Sequence, residues 1–175
     1  MTGKPLVPGR AAEAELSFWM QTYGPALTGL CAGLLGDLHL AQDVVQETFI
    51  RAYQRRDSFR GQYAGSEKAW LTRIAINLCR DQQRSKWFRL VDKRVPVEEL
   101  NLPMPMADEE ARQVFAAVRS LPSRYREIIL LHYDQNLKIN EIAQALGLSA
   151  SSVYRRLDKA RQLLKRTLEG WDDSE

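Results

Sequence analysis

The chain has 175 residues, of which 45% are hydrophobic and 27% charged, so it can bury one or two small cores but not a large one. Its formal net charge is only +3, but basic residues concentrate in two blocks, 51–94 and 149–166, which hold 12 and 6 Lys or Arg. The segments around these blocks contain more acidic than basic residues. Two separate basic blocks predict contact with a polyanion at two places.

Several classes of protein are excluded by what the chain lacks. Cys31 and Cys79 are its two cysteines, too few and too far apart for a zinc cluster or a disulfide framework, and we interpret both as buried thiols. No stretch approaches the roughly 18 apolar residues of a membrane helix, and the N-terminus does not resemble a signal peptide. We therefore predict a soluble cytosolic protein without a metal or other cofactor.

The first third of the chain is predicted to be helical. Residues 1–10 contain two prolines and two glycines and are expected to form a loose arm. Apolar residues then recur every three or four positions over 16–35 and again over 40–53, which is typical of helices buried along one face. Gly24 and Pro25 are expected to kink or divide the first helix. In the second helix, the buried stripe is Val45, Phe49, Ala52 and Tyr53, and the other face carries Asp43, Gln46, Glu47 and Ile50.

Aromatic residues accompany the first basic block. Residues 57–67 are rich in Gly, Ser and aromatics, which favours an ordered loop over a helix, and a further helix is expected after them. Basic side chains follow phosphates and exposed aromatics stack on unpaired bases, so this combination is typical of single-stranded or melting DNA. Trp70 is expected in the core, whereas Phe59 and Tyr63 are placed to meet bases.

Prolines and acids mark a boundary at 92–108, which we interpret as a flexible linker. The predicted organisation is a helical domain over 11–91 and a second over 109–170, followed by an acidic tail over 171–175. The second domain should open with a helix over 109–120 and continue with another from Pro122 to about Tyr133. We find no strand pattern, so the predicted fold class is all-α with two small domains.

The sharpest local signal is a helix-turn-helix pattern over 139–157. Such a motif needs a small residue where the helices cross, a glycine with positive φ in the turn, and a branched apolar residue that holds the second helix down. Ala143, Gly147 and Val153 supply these, and Ser149 is a good N-cap for the recognition helix. An ordinary helical hairpin is the alternative. The residues left free to meet bases or phosphates are Ser151, Ser152, Tyr154, Arg155, Arg156 and Lys159.

No catalytic constellation is visible. His39 and His132 are far apart, and the chain has no phosphate-binding glycine loop and no nucleophile motif. His132 falls on an apolar face and is expected to be a packing residue. We predict that the protein is not an enzyme.

Three segments together resemble the extracytoplasmic-function group of bacterial RNA polymerase sigma factors. They are LLGDLHLAQDVVQETFIRAY at 34–53, FRG at 59–61 with KAWLTRIAINLCRDQQR at 68–84, and LPSRYREIILLHYDQNLKINEIAQALGLSASSVYRRLDKARQLLKR at 121–166. The resemblance implies a promoter-specificity subunit that binds core RNA polymerase, directs initiation and helps to melt promoter DNA. It also implies an anti-sigma factor as a partner, which could hold this cytoplasmic protein at the membrane.

The same resemblance implies three sets of site residues. Contact with the clamp helices of the polymerase largest subunit falls to Asp43, Gln46, Glu47, Phe49 and Ile50. Recognition of the minus-ten element falls to Phe59, Arg60, Tyr63, Lys68, Arg73, Asn77, Arg80 and Arg84. Recognition of the minus-thirty-five element falls to Ser149, Ser151, Ser152, Tyr154, Arg155, Arg156 and Lys159. The linker would pass through the polymerase near the RNA exit path, with a second polymerase contact at the flap.

Two other functions remain open on the residues alone. A helix-turn-helix repressor or activator would bind palindromic half-sites about one helical turn apart without polymerase. A protein-interaction adaptor would leave both basic blocks unexplained.

Overall fold

The computed structural model describes residues 10–62, 66–92 and 109–172, and all regular structure in these ranges is helical. The predicted all-α class is confirmed. The first unit comprises α1 (Arg10–Leu35), α2 (Leu38–Gln54), α3 (Arg56–Gln62) and α4 (Glu67–Asp92). The second unit comprises α5 (Glu109–Ser120), α6 (Ser123–Ile129), α7 (Ile139–Leu146) and α8 (Ala150–Asp172), with a π-helical segment, Leu130–Asp134, directly after α6.

Helix α1 runs through Pro25 without a division. Its apolar stripe continues across the proline, since Leu27 and Leu30 are both buried, and this packing outweighs the lost backbone donor. The Thr28 hydroxyl donates to the Gly24 carbonyl oxygen at 2.9 Å. The helix ends where Gly36 adopts a φ of +72°, a conformation that glycine reaches at little cost.

Helix α2 begins with a capped turn. The Asp37 carboxylate accepts a hydrogen bond from the Leu40 N–H at 2.9 Å and satisfies one of the free donors of the first turn. The predicted stripe is confirmed as the buried face, from Val45 to Tyr53. Helix α2 packs on α1 and α4, so its polar face points away from the core.

The loop predicted over 57–67 is wrong in its first half, because residues Arg56–Gln62 form α3. The backbone N–H groups of Ser58 and Phe59 donate to the Arg55 carbonyl oxygen and start this turn of helix. The ring of Phe59 also stacks on Trp70, with centroids 4.9 Å apart. A tertiary contact of this kind overrides a weak local preference against helix.

The helix predicted from Pro122 to about Tyr133 changes geometry before its end. Pro122 precedes the first helical residue, and at Leu130 the α-helix passes into the π-helical segment. There the Gln135 N–H donates to the Leu130 carbonyl oxygen at 2.9 Å, five residues back. Asn136 then takes a φ of +53°, which its short polar side chain tolerates. Single π turns of this kind are frequent at functional positions.

The predicted arm, linker and tail lie mostly outside the described residues. Only one residue of the predicted arm, Arg10, is described, and it starts α1. Asp92 is the last residue of α4, and the rest of the predicted linker is not described. The predicted tail overlaps the end of α8, which extends to Asp172.

The buried residues of the two units form one connected cluster. Cys31 and Cys79 lie in the first unit's part of it, both reduced and at most 1% exposed, as predicted. Their mutual hydrogen bond and their burial raise the pKa of the Cys79 thiol, so it stays protonated. Because the buried cluster contains residues of both units, the two units pack directly on each other.

Candidate functional site

Helices α7 and α8 form the helix-turn-helix predicted from the sequence. Gly147 ends α7 with a φ of +66°, and Val153 is fully buried under the turn. Ala143, 9% exposed, lies in the same small core, where a larger side chain would push the helices apart. Leu157 and Ala160 continue the buried stripe, which fixes the face that α8 turns outward.

The N-terminal end of α8 is capped by Ser149. Its Oγ accepts the Ser152 N–H at 3.2 Å, which confirms the predicted N-cap. The same oxygen lies 3.1 Å from the Ser151 hydroxyl and 2.9 Å from that of Ser152. Arg155 donates to the Ser152 hydroxyl at 3.3 Å. The capping hydroxyls and the guanidinium thus form one polar cluster at the start of the helix.

The outer face of α8 leaves the predicted minus-thirty-five residues accessible. Tyr154 is 60% exposed, and Arg155 and Lys159 are also exposed. A shallow surface depression beside them is lined by Tyr125, Ser152, Arg155 and Arg156. Hydroxyl and guanidinium groups in such an arrangement can donate to phosphate oxygens and to acceptors on base edges.

The first basic block presents a second surface on α4. A shallow pocket there is lined by Arg55, Trp70, Arg73, Ile74 and Asn77. Arg73 and Asn77 are exposed, and so is Arg84, which donates to Asp81 at 2.9 Å. This surface combines cations with an aromatic floor, the chemistry expected for unpaired bases.

An aromatic stack supports the floor of this pocket. Trp70 is 7% exposed and lies between Phe59 and Trp19, with ring centroids 4.9 Å and 5.7 Å away. The expectation that Trp70 belongs to the core is confirmed, and Phe59 is half-buried against it. Tyr63 lies outside the described residues, and only the backbone of Arg60 is described.

Three of the predicted minus-ten residues make contacts with the second unit. Arg80 donates two hydrogen bonds to the Glu127 carboxylate, at 2.8 and 2.7 Å. The hydrogen bond to Glu127 raises the pKa of Arg80 against the opposing effect of burial. Lys68 donates its Nζ–H to the backbone carbonyl oxygen of Gln135. In this arrangement both cations contact protein groups, and Arg73 reaches the Gln144 carbonyl oxygen at 3.4 Å.

The predicted polymerase face lies on the outside of α2. Asp43 and Gln46 are exposed, Ile50 is 51% exposed, and Glu47 pairs with Arg51 at 2.6 Å. Phe49 departs from the other four because it is only 4% exposed and belongs to the core. Its position on the buried stripe allows it to hold α2 in place but not to meet a partner at the surface.

Comparison with known proteins assigns the family. Residues 19–89 match the family model of sigma-70 region 2, and residues 111–164 match that of sigma-70 region 4. The chain is 32% identical over 166 residues to the ECF RNA polymerase sigma factor SigL of Mycobacterium tuberculosis, covering 91% of this chain and 93% of SigL. The chain belongs to the ECF RNA polymerase sigma factors.

Two further comparisons agree with this sigma factor assignment. The ECF sigma factor SigW of Bacillus subtilis is 29% identical over 164 residues, covering 83% of this chain and 84% of SigW. The sigma factor RpoE of Bartonella quintana, solved in complex with the anti-sigma factor NepR, shares the fold with a TM-score of 0.76. It is 24% identical, and the match covers 89% of this chain and 97% of RpoE. As a member of this family, the protein is a transcription initiation factor that acts with RNA polymerase at promoters.

Sequence reasoning missed three residues of this sigma factor that the structure brings to the interfaces. Arg55 lines the pocket on α4, Glu127 pairs with Arg80, and the side chain of Gln135 is 1% exposed between the units. The sequence contains a signal for the burial of Glu127. Glu127 lies one helical turn before the apolar Leu131 and therefore on the same face. Gln135 carries no such signal, because its position depends on the π-helical segment.

The remaining predictions concern metal sites, membrane helices and His132. Among the described residues, no three His, Cys, Asp or Glu side chains are grouped as metal ligands. None of the described helices is long and apolar enough to cross a membrane. His132 is half-buried with its ring 4.8 Å from that of Tyr133, as expected for a packing residue.

Proposed function

We propose that this sigma factor reads promoter DNA through two helical surfaces and binds core RNA polymerase through a third. Helix α8 would read the minus-thirty-five element in the major groove. Helices α3 and α4 would read and help to melt the minus-ten element. The outer face of α2 would contact the clamp helices of the polymerase largest subunit, with a second contact at the flap.

The observation that carries this proposal is the exposed polar end of α8. Its capped first turn presents Ser151, Ser152 and Arg155 on the side opposite the buried Val153. A recognition helix needs this combination, because the inner residues fix its angle and the outer ones meet base edges. Arg156 and Lys159 lie further along and would contact phosphates, which sets register without reading sequence.

The pocket on α4 supports the minus-ten assignment. Arg55, Arg73 and Asn77 surround an aromatic floor, so phosphate contact and base stacking are possible at one place. Trapping an unstacked base there would offset a melting cost of a few kcal/mol. The effect on transcription would come from binding alone, without a covalent step in the sigma factor, so we propose that it is not an enzyme.

Regulation by an anti-sigma factor is part of the proposal. It rests on the Bartonella quintana neighbour, whose structure contains the anti-sigma factor NepR. Such a partner would act on the protein in the cytoplasm or hold it at the membrane. The domain boundaries that we propose are 11–91 and 109–170, with the linker over 92–108.

Reconstitution with bacterial core RNA polymerase tests the assignment. The protein and the polymerase together should initiate from genomic promoter fragments, whereas either alone should not, and mapped start sites would locate both elements. Replacing Ile50 by Asp should abolish co-purification with core. Met20→Asp is the matched control, because Met20 is also 51% exposed but lies on α1. Tight binding of the protein alone to a palindrome, without association with core, would contradict the proposal.

A further inference from the structure

Three arginines meet at one surface depression between α6 and α8. The depression is lined by Tyr125 of α6 and by Ser152, Arg155 and Arg156 of α8. The guanidinium of Arg124 stacks over the Tyr125 ring, with its Cζ 4.8 Å from the ring centroid, and so adds a third cation at the same place. The basic surface of α8 therefore continues onto α6, a helix that carries none of the predicted site residues.

The arginines of this cluster have no carboxylate partner. Elsewhere in the described ranges, four cations pair with carboxylates at 3.5 Å or less, namely Arg51, Arg80, Arg84 and Lys165. Among the described residues, no carboxylate pairs with Arg124, Arg155 or Arg156, and Arg155 reaches only the neutral hydroxyl of Ser152, at 3.3 Å. Like charges that converge without a counter-charge repel one another, and an anion bound between them relieves this repulsion.

The side chains at the depression are of the types that bind phosphate. The planar fork of an arginine can donate two parallel hydrogen bonds to phosphate oxygens, and a tyrosine hydroxyl can donate a third. The ring of Tyr125 is half-buried against the core, so its position is fixed before a ligand binds. Because Arg124 stacks on this ring, its guanidinium is also held in place. Groups held in this way lose less conformational entropy on binding.

The depression lies where a DNA backbone would run past α8. Ser152 and Arg156 are one helical turn apart and line the border of the outer face that turns toward α6. With α8 in the major groove, its outer face meets base edges, and the protein surface beside it meets the sugar-phosphate backbone. Helix α6 packs on α8 and therefore occupies this flanking position.

We propose that α6 and α8 together bind one backbone phosphate beside the minus-thirty-five element, with Arg124 and Tyr125 as DNA contacts. The proposal rests on the assignment of α8 to that element. Arg124 and Arg156 compensate the charge of the phosphate, and the Tyr125 hydroxyl donates to one of its oxygens. Because the backbone is the same in every sequence, this contact sets the position of α8 in the groove and does not select bases.

Neutral linkages in promoter DNA test this site on the sigma factor assembled with core RNA polymerase. Each promoter fragment carries one methylphosphonate, which lacks the phosphate charge, at successive positions around the minus-thirty-five element. Affinity varies with salt concentration to a power of about −0.9 per phosphate contact, so at 0.1 M salt the linkage at the site should weaken binding about eightfold.

Two variants connect this linkage to α6. Arg124→Ala should weaken binding to unmodified DNA about eightfold and should lose nothing further when the linkage at the site is neutral, because the contact is already absent. Tyr125→Phe keeps the ring beneath Arg124 but removes the hydroxyl, so it should reduce the effect of the same linkage and of no other. Such coupling to one phosphate would not arise from a merely structural role.

Arg166→Ala is the matched control for Arg124→Ala. Arg166 is also an exposed arginine of the second unit, but it lies ten residues beyond Arg156 on α8, about 15 Å along the helix. This variant should keep the full effect of the neutral linkage. Circular dichroism and co-purification with core establish that each variant is folded and assembled, and Arg124→Gln provides the test if Arg124→Ala is not.

The salt dependence of binding gives a second readout. Arg124→Ala should reduce the slope of log affinity against log salt by about 0.9, and by the same amount on promoters with base changes in the minus-thirty-five element. A loss confined to particular bases would make Arg124 a base contact and overturn the proposal. A full linkage effect at every position in Arg124→Ala would also overturn it.

Inorganic pyrophosphate distinguishes DNA from a free anion as the source of the phosphate. Saturable binding of pyrophosphate to these arginines, together with no effect of any neutral linkage, would assign the site to a free phosphate anion and overturn the DNA contact. Normal promoter binding without a linkage effect would reject only the phosphate site. An assembled polymerase that binds no promoter fragment would reject the promoter assignment itself.

Discussion

The two DNA-reading surfaces differ in how far their chemistry is available. On α8, the predicted residues share one outer face, and the buried stripe behind them belongs to the same unit. On α4, Arg73, Asn77 and Arg84 are exposed, but Lys68 and Arg80 are held by the second unit. Residue type therefore indicates what a side chain can bind, whereas the packing of the two units decides whether it is available.

The largest effect should come from breaking the Arg80–Glu127 ion pair, which holds Arg80 against the second unit. Glu127→Ala leaves Arg80 half-buried without its carboxylate, and we expect a loss of about 3 kcal/mol in unfolding free energy, at the low end for a buried pair because Arg80 keeps some access to water. Asp81→Ala is the control, since the Asp81–Arg84 pair is exposed and should contribute about 0.5 kcal/mol or less. Chemical denaturation measures both. Equal losses would show that burial does not distinguish the two pairs.

The variant Arg155→Ala tests whether the outer face of α8 reads bases. Loss of a bidentate base contact should reduce discrimination at one minus-thirty-five position by about 1 to 3 kcal/mol, with little change at the minus-ten element. The measurement is initiation by the reconstituted polymerase on promoters with single base changes. Arg73→Ala should show the converse dependence on minus-ten changes. A uniform loss on all sequences would instead identify Arg155 as a phosphate contact.

The cap of α8 should have a smaller effect on stability. Ser149→Ala removes the acceptor of the Ser152 N–H, and we expect a cost of about 1 kcal/mol. Ser151→Ala, in the same first turn, removes a hydroxyl that does not cap the helix and should cost less. Thermal unfolding followed by circular dichroism compares them. A Ser151 variant that is the less stable of the two would show that the hydroxyl cluster, not the cap, stabilises the helix.

The smallest effect should come from protonating one carboxylate, that of Glu141, at the contact between the units. Burial raises the pKa of Glu141, but the Ser66 hydroxyl, the Lys138 N–H and the charges of Lys138 and Lys68 outweigh burial, so the pKa lies below its ordinary value. A carboxylate whose pKa is lower in the folded chain than in the unfolded chain stabilises the folded chain at pH values above the ordinary pKa. This contribution is lost as the pH falls through the lowered pKa. Acid should therefore weaken the contact below about pH 4.5.

Carboxyl NMR titration measures this shift directly. Ser66→Ala should move the Glu141 midpoint upward, because it removes a hydrogen bond that reaches the carboxylate from the first unit. Ser58→Ala, an exposed position on α3, should leave the midpoint unchanged. An unchanged midpoint in the Ser66 variant would show that the hydroxyl does not reach Glu141 in solution.

The local features that could be predicted are those that depend on near neighbours in the chain. The helix-turn-helix is an example, since Ala143, Gly147 and Val153 have their predicted roles within one short segment. The buried stripe of α2 is another, because its spacing follows the helical period. The loop predicted over 57–67 failed where Phe59 gains a ring contact with Trp70, which periodicity cannot show.

By itself, the sequence determined the all-α class, the helix-turn-helix and the charge of each candidate surface, because periodicity, turn chemistry and residue type act locally. The tertiary structure alone decided that Glu127 and Gln135 are buried and that Arg80 meets a carboxylate. These outcomes depend on contacts between residues about 50 to 110 positions apart, as in the Arg80–Glu127 and Gln135–Ala26 hydrogen bonds. The Leu130 side chain packs closely on α1 at Gly33, where a Cβ atom would lie 3.0 Å from Leu130 Cδ1, and that complementarity exists only in the folded chain.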